Sequence, residues 1–118
     1  MLNRKIAEER IKDFVKICMN RKLYFKKVFL FGSIVQEKNR KYSDIDVALV
    51  SDQFTGNPIK DLQFIIPVLS SSPKFTLFEP HLYTPLDFKE DPFADVIKKT
   101  GTEIDIKNNL IELPSGQN

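Results

Sequence analysis

Apolar residues recur along this chain in two rhythms. Near the start, Ala7, Ile11, Phe14 and Cys18 return at helical spacing, Ile6, Val15 and Ile17 widen the stripe, and Lys, Arg, Glu and Asp fill the opposite face. Asn3 suits an N-cap and Asn20 a stop, so the spacing predicts an amphipathic helix lying against a sheet. The rhythm then changes. Val28-Phe29-Leu30-Phe31 is wholly apolar and ends at Gly32, as a strand covered on both faces would. Residues 33–38 read as a short helix and 39–43 as a polar loop. From Asp44 to Val50 the period is two: Ile45, Val47 and Leu49 share one face, and Asp44, Asp46 and Ala48 share the other.

In the second half, residues 51–58 carry turn formers, including Gly56-Asn57-Pro58, and residues 59–69 read as a helix that Pro67 kinks or terminates. After the breaker Ser70-Ser71-Ser72-Pro73, a third strand is expected over Phe75–Phe78, leading into Glu79-Pro80-His81. Residues 83–88 look like a capped turn into a helix. Asp91-Pro92 opens a further helix over 93–99, with proline at its favoured first position, and Gly101 stops it. Ile104 and Ile106 add a short edge strand or a helix end. This order of elements predicts an α/β (α+β) domain, a small mixed β-sheet with helices packed on it. It is expected to span residues 1–112 as a single unit, with residues 113–118 expected as a disordered tail.

Composition narrows the picture only modestly. The length of 118 residues suits one domain. The net charge of +2 arises from 18 basic and 16 acidic residues dispersed along the chain, not from the dense basic face of a strong nucleic-acid binder. The nearest basic cluster, Arg21, Lys22, Lys26 and Lys27 with Lys38, Arg40 and Lys41, reads as a solvated helix end plus a loop. One cysteine, Cys18, excludes an internal disulfide and falls in the apolar stripe, as a buried structural thiol does. No apolar run reaches the roughly 18 residues of a membrane span, and a cytoplasmic location is expected.

Two places carry chemistry. Asp44 and Asp46, at i and i+2 of a strand, point the same way, and like charges that close raise each other's pKa. Either that strand face meets solvent, or a hard divalent cation such as Mg²⁺ satisfies the pair. Gly32-Ser33 sits where an apolar strand ends. Glycine lets the backbone approach a ligand, Ser33 can cap the turn that follows, and amides at a helix start favour phosphate. The alternative is an ordinary strand-to-helix turn. Together the two places set a phosphate cradle at the end of one strand and a metal pair at the start of the next.

Phe29-Leu30-Phe31-Gly32-Ser33, ten residues, then Asp44-Ile45-Asp46-Val47-Ala48-Leu49-Val50 resembles the signature of the DNA polymerase β-like nucleotidyltransferase superfamily. More narrowly, the chain is similar to the minimal nucleotidyltransferases. The resemblance implies that Asp44, Asp46 and a third carboxylate on a later strand are catalytic and hold two Mg²⁺ ions. Glu79 is the candidate third, with Asp87 a weaker alternative. Gly32 and Ser33 would bind the nucleotide, ATP by expectation, and its AMP would pass to a hydroxyl of a protein or RNA. Where active members carry Arg or Lys and often a second Gly, this chain has Ile34-Val35-Gln36-Glu37, so Arg40 and Lys41 are the candidates to supply the missing charge. The resemblance also implies a second reading, a binding module that neutralises a small helical partner of the HEPN type as an antitoxin does. Apolar surface on the first helix or on residues 59–69 would serve that partner, or else be the domain's own core. His81, the only histidine, either touches the metal site or a phosphate beside Glu79 or is a turn residue with no catalytic task, the second being the expectation.

Overall fold

The computed structural model describes residues 2–36 and 44–106. Helix α1, Arg4–Asn20, starts where the Asn3 side chain accepts the Ile6 N–H at 2.9 Å, and its turns lay Ala7, Ile11, Phe14, Val15 and Cys18 on the sheet. It ends as the apolar stripe ends, and the chain reverses with Lys22 at φ 70°. Strand β1, Lys27–Phe31, runs antiparallel to β2, Ile45–Val50. Helix α2, Pro58–Leu69, follows from an Asn57 cap. Its approach loop is tied down by the buried Asp61 carboxylate, which accepts from the Thr55 N–H, the Thr55 hydroxyl and the Gly56 N–H at 2.7–2.9 Å. Pro67 neither kinks the chain out of helix nor ends it, since α2 continues to Leu69. The proline is on the exposed side, where water can serve the carbonyl it leaves unpaired.

The third strand departs from the pattern-based expectation. Phe75 belongs to a 3-10 turn, Pro73–Phe75, opened by the Ser72 hydroxyl and buried edge-on against Phe14 at 5.4 Å. The strand, β3, is Phe78–Tyr83 and runs parallel to β2. Its phase is set at both ends, where the Leu77 carbonyl accepts the Ile45 N–H at 2.7 Å and the Tyr83 carbonyl accepts the Ser51 N–H at 3.1 Å. Odd-numbered residues of β3 therefore turn their backbone polar groups toward β2 and even-numbered ones turn them outward. Pro80 falls on an outward position of an edge strand, so its missing N–H breaks no ladder bond.

Thr84 then caps α3, Pro85–Glu90, and Asp91 caps α4, Pro92–Thr100, each with proline in its first turn as expected. After Gly101, β4, Thr102–Glu103, forms a short edge strand antiparallel to β1, just before the expected position, and residues 104–106 lie in neither strand nor helix. The sheet order is β3-β2-β1-β4. One face carries Val28, Leu30, Ile45, Val47 and Leu49 into the main core with α1 and α2. The other carries Phe29, Phe31, Ala48 and Val50 into a smaller core with Tyr83, Phe88, Ala94 and Ile97. The division of Ile45, Val47 and Leu49 from Asp46 and Ala48 is the one that the period-two pattern predicts. The end of the domain at residue 112 and the tail 113–118 lie outside the described residues. No described helix is long and apolar enough to cross a membrane.

Candidate active site

Sheet register brings the acidic residues together. Phe31 pairs with Asp46 across β1 and β2, Asp46 with Glu79 across β2 and β3, and Ala48 with His81. Residues opposite one another in a sheet, and those two apart on one strand, share a face. Asp46, Glu79 and His81 therefore gather on the α3–α4 face, beyond the edge of its small core. Each offers a ligand atom within 4.8 Å of the other two. His81 Nε2 lies 3.4 Å from Asp46 Oδ1. The imidazole is held edge-on against Phe31, with centroids 4.9 Å apart, and Phe31 in turn meets Phe93 of α4 at 5.9 Å.

Gly32 explains itself here. Its φ is +85°, which L side chains rarely adopt, and a Cβ at this position would overlap Asp46 Oδ2. One oxygen of Asp46 thus lies over the glycine and the other faces His81. Downstream, residues 33–36 form a turn on the Gly32 carbonyl, which accepts the Val35 and Gln36 N–H groups at 3.2 Å. The expected helix from Ser33 is only this turn as far as residue 36, and residues 37 and 38 lie outside the described residues. Ile34 is buried in the main core and Val35 packs against it, so these two side chains pin the turn down.

The electrostatics match the geometry. Asp46 has its pKa raised from 3.8 to about 6, first by burial and then by the hydrogen bond and charge of Glu79; His81 pulls the other way. A half-buried carboxylate pressed against another carboxylate and a nitrogen is a donor set that a divalent cation would satisfy. Cys18 shows the contrast: burial pushes its thiol up to about 12, although Arg21 opposes this, so it is an inert core residue as expected.

Of the residues singled out in the sequence, Asp46 and Glu79 are brought side by side. Glu79 lies inside β3, not after a strand. Asp44 stands one residue before β2, exposed and outside the Asp46–Glu79–His81 group. Gly32 underlies Asp46, and Ser33 follows it, half-exposed, in the turn. Asp87 lies in α3, beyond the far end of β3. Arg40, Lys41 and Glu37 lie outside the described residues. His81 lies inside β3 and against Asp46, not in the turn expected for it; its i+2 spacing places it on the same strand face as Glu79, and the sheet register brings both to Asp46.

Residues 11–112 match the family described as nucleotidyltransferase domain. Among solved structures, the fold is similar to a Sulfolobus solfataricus protein designated a candidate nucleotidyltransferase, with a TM-score of 0.52 and 14% identity over 82% of this chain and 81% of that one. Comparison with curated protein sequences gives no match.

Proposed function

This chain belongs to the nucleotidyltransferase domain family, among the minimal members of the DNA polymerase β-like superfamily, and on that premise we propose that it transfers a nucleoside monophosphate, AMP from ATP, to a hydroxyl of a protein or RNA. The observation that carries this reading is the convergence of Asp46 and Glu79 beside Gly32. In this proposal Asp44, Asp46 and Glu79 hold two Mg²⁺ ions. Bound there, the ions would supply charge stabilisation to the entering and leaving oxygens. Gly32 and Ser33 grip the distal phosphates, and Arg40 and Lys41 add positive charge. The acceptor oxygen bonds to the α-phosphorus as the bond from that phosphorus to pyrophosphate breaks, and the hydroxyl proton leaves through Glu79 or solvent. Such a step asks mainly for positioning and charge, which a small domain can supply.

Incubation of the full chain, with any co-expressed neighbour, with labelled ATP and Mg²⁺ tests this. Transfer of label that falls at least ~10³-fold in Asp46→Asn supports catalysis. Tight binding of a partner, unaffected by that substitution and without label transfer, would overturn it.

One observation favours the second reading, a binding module that neutralises a helical HEPN-type partner. Ile59, Leu62, Phe64 and Ile66 of α2 are exposed, Ile59 by 74%, so this helix is not only core, whereas the apolar stripe of α1 is. Ile59 and Ile66 share a helix face with Leu62, as helix-on-helix docking requires. Loss of partner binding in Ile59→Ser with retained fold supports this surface.

A further inference from the structure

The metal reading of Asp46 and Glu79 leaves His81 without a task, yet its position is tightly specified. The ring is carried on β3 by the same register that carries Glu79. It is braced by Phe31 at 66° between ring planes, and Nε2 is the nitrogen that faces Asp46. The 3.4 Å separation between Nε2 and Asp46 Oδ1 is long for a bond from a donor to a carboxylate, which closes to about 2.7–2.9 Å when charge-assisted. It is close to the spacing of neighbouring ligands around one ion: with bonds of about 2.1 Å at right angles, such atoms lie about 3 Å apart. Glu79 completes a group in which no two ligand atoms are farther apart than 4.8 Å.

We propose that His81 Nε2 is a direct ligand of the divalent ion shared with Asp46 and Glu79, and that this site therefore prefers a first-row transition ion, represented by Mn²⁺, over Mg²⁺. The inference rests on the metal-site reading given above. Its chemistry is that of the donor set: Mg²⁺ selects oxygen ligands and retains its waters, whereas imidazole nitrogen suits transition ions. A histidine that merely oriented Asp46 by a hydrogen bond would favour neither ion.

The chain has one histidine, so a nitrogen bound to the ion through an imidazole is assigned without ambiguity. The test is pulsed electron paramagnetic resonance of the full chain, labelled with ¹⁵N-histidine and loaded with Mn²⁺ alone, together with Mn²⁺ and Mg²⁺ titrations of wild type and His81→Gln. The expected result is hyperfine coupling from a directly bound ¹⁵N in wild type. In His81→Gln the coupling is lost, and Mn²⁺ affinity falls ~10-fold or more while Mg²⁺ affinity changes less than ~2-fold. Bound Mn²⁺ that Asp46→Asn releases but that shows no ¹⁵N coupling would overturn the proposal, as would an equal loss for both ions in His81→Gln. Absence of binding of either ion to wild type would overturn the metal-site reading itself. Should the variant fail to fold, the wild-type spectrum alone decides.

Discussion

The two faces of the sheet use the same strands to opposite ends. On the α1–α2 face, Val28, Leu30, Ile45, Val47 and Leu49 are wholly buried, and apolar contact runs the length of β1 and β2. On the α3–α4 face the cover is two short helices of six and nine residues. The nine-residue α4 is about 13 Å long. Phe29, Ala48 and Val50 are buried beneath these helices, with Phe31 at the margin, and beyond it lie the half-buried Asp46 and His81 and the exposed Glu79. The thick layer supplies rigidity, and the thin one stops short so that polar chemistry meets solvent and substrate. A rigid element with its supporting side chains packed beneath is what keeps a site in place.

Four substitutions separate the two faces. The largest effect belongs to the covered side: Leu30→Ala should cost about 2–5 kcal/mol in denaturant unfolding, since it empties the middle of the main core. Any loss of activity should then track the unfolded fraction alone. Gly32→Ala acts on both properties, because it strains a residue at φ +85° and displaces the Asp46 carboxylate. It should cost about 1–3 kcal/mol and lower metal affinity in a calorimetric titration.

Asp46→Asn reverses the sign. The Asp46 carboxyl has its pKa raised from 3.8 to about 6, so the folded chain holds this proton more tightly than the unfolded one. The associated stability is complete below pH 3.8 and is lost as pH rises through about 6. The amide should thus stabilise the metal-free protein at pH 7.5 by about 1–2 kcal/mol, a figure reduced from the full shift for partial exposure, with no gain at pH 3.5. By the same linkage, metal affinity in wild type should fall as pH drops below about 6, because protons compete for Asp46. Smallest of all, Ile59→Ser should change the melting of the isolated chain by less than ~0.5 kcal/mol, since the side chain is 74% exposed.

What the sequence made legible follows the strength of local pattern. Strand β2 and its two faces were readable because alternation and burial agree there, and α1 because its stripe is uninterrupted. Asp91-Pro92 marked the start of α4, whereas Asn57 and Pro58, turn formers by type, cap and open α2. Strand β3 was misplaced because Phe75 looks like strand but serves the core from a 3-10 turn against Phe14. Pro80 is tolerated within 78–83 because that strand lies at an edge, which is a property of the whole sheet. That one shift hid His81. Its approach to Asp46 depends on parallel pairing between segments more than 30 residues apart, and no local spacing encodes it. The packing role of Ile34 was equally hidden, since a single isoleucine in a turn does not tell which core it enters.

Pro80 also bears on how copies of this chain behave in crowded solution. Among the described residues no strand pairs with the outer rim of β3, and unpaired rims recruit other strands into fibrils. At its centre this rim presents a pyrrolidine ring where a hydrogen-bond donor would stand. A second strand approaching there finds a gap in the ladder and a bulky ring in the way. Proline at this position thus guards solubility without weakening the fold, and Pro80→Ala should leave unfolding nearly unchanged while shortening the lag before thioflavin-positive aggregation.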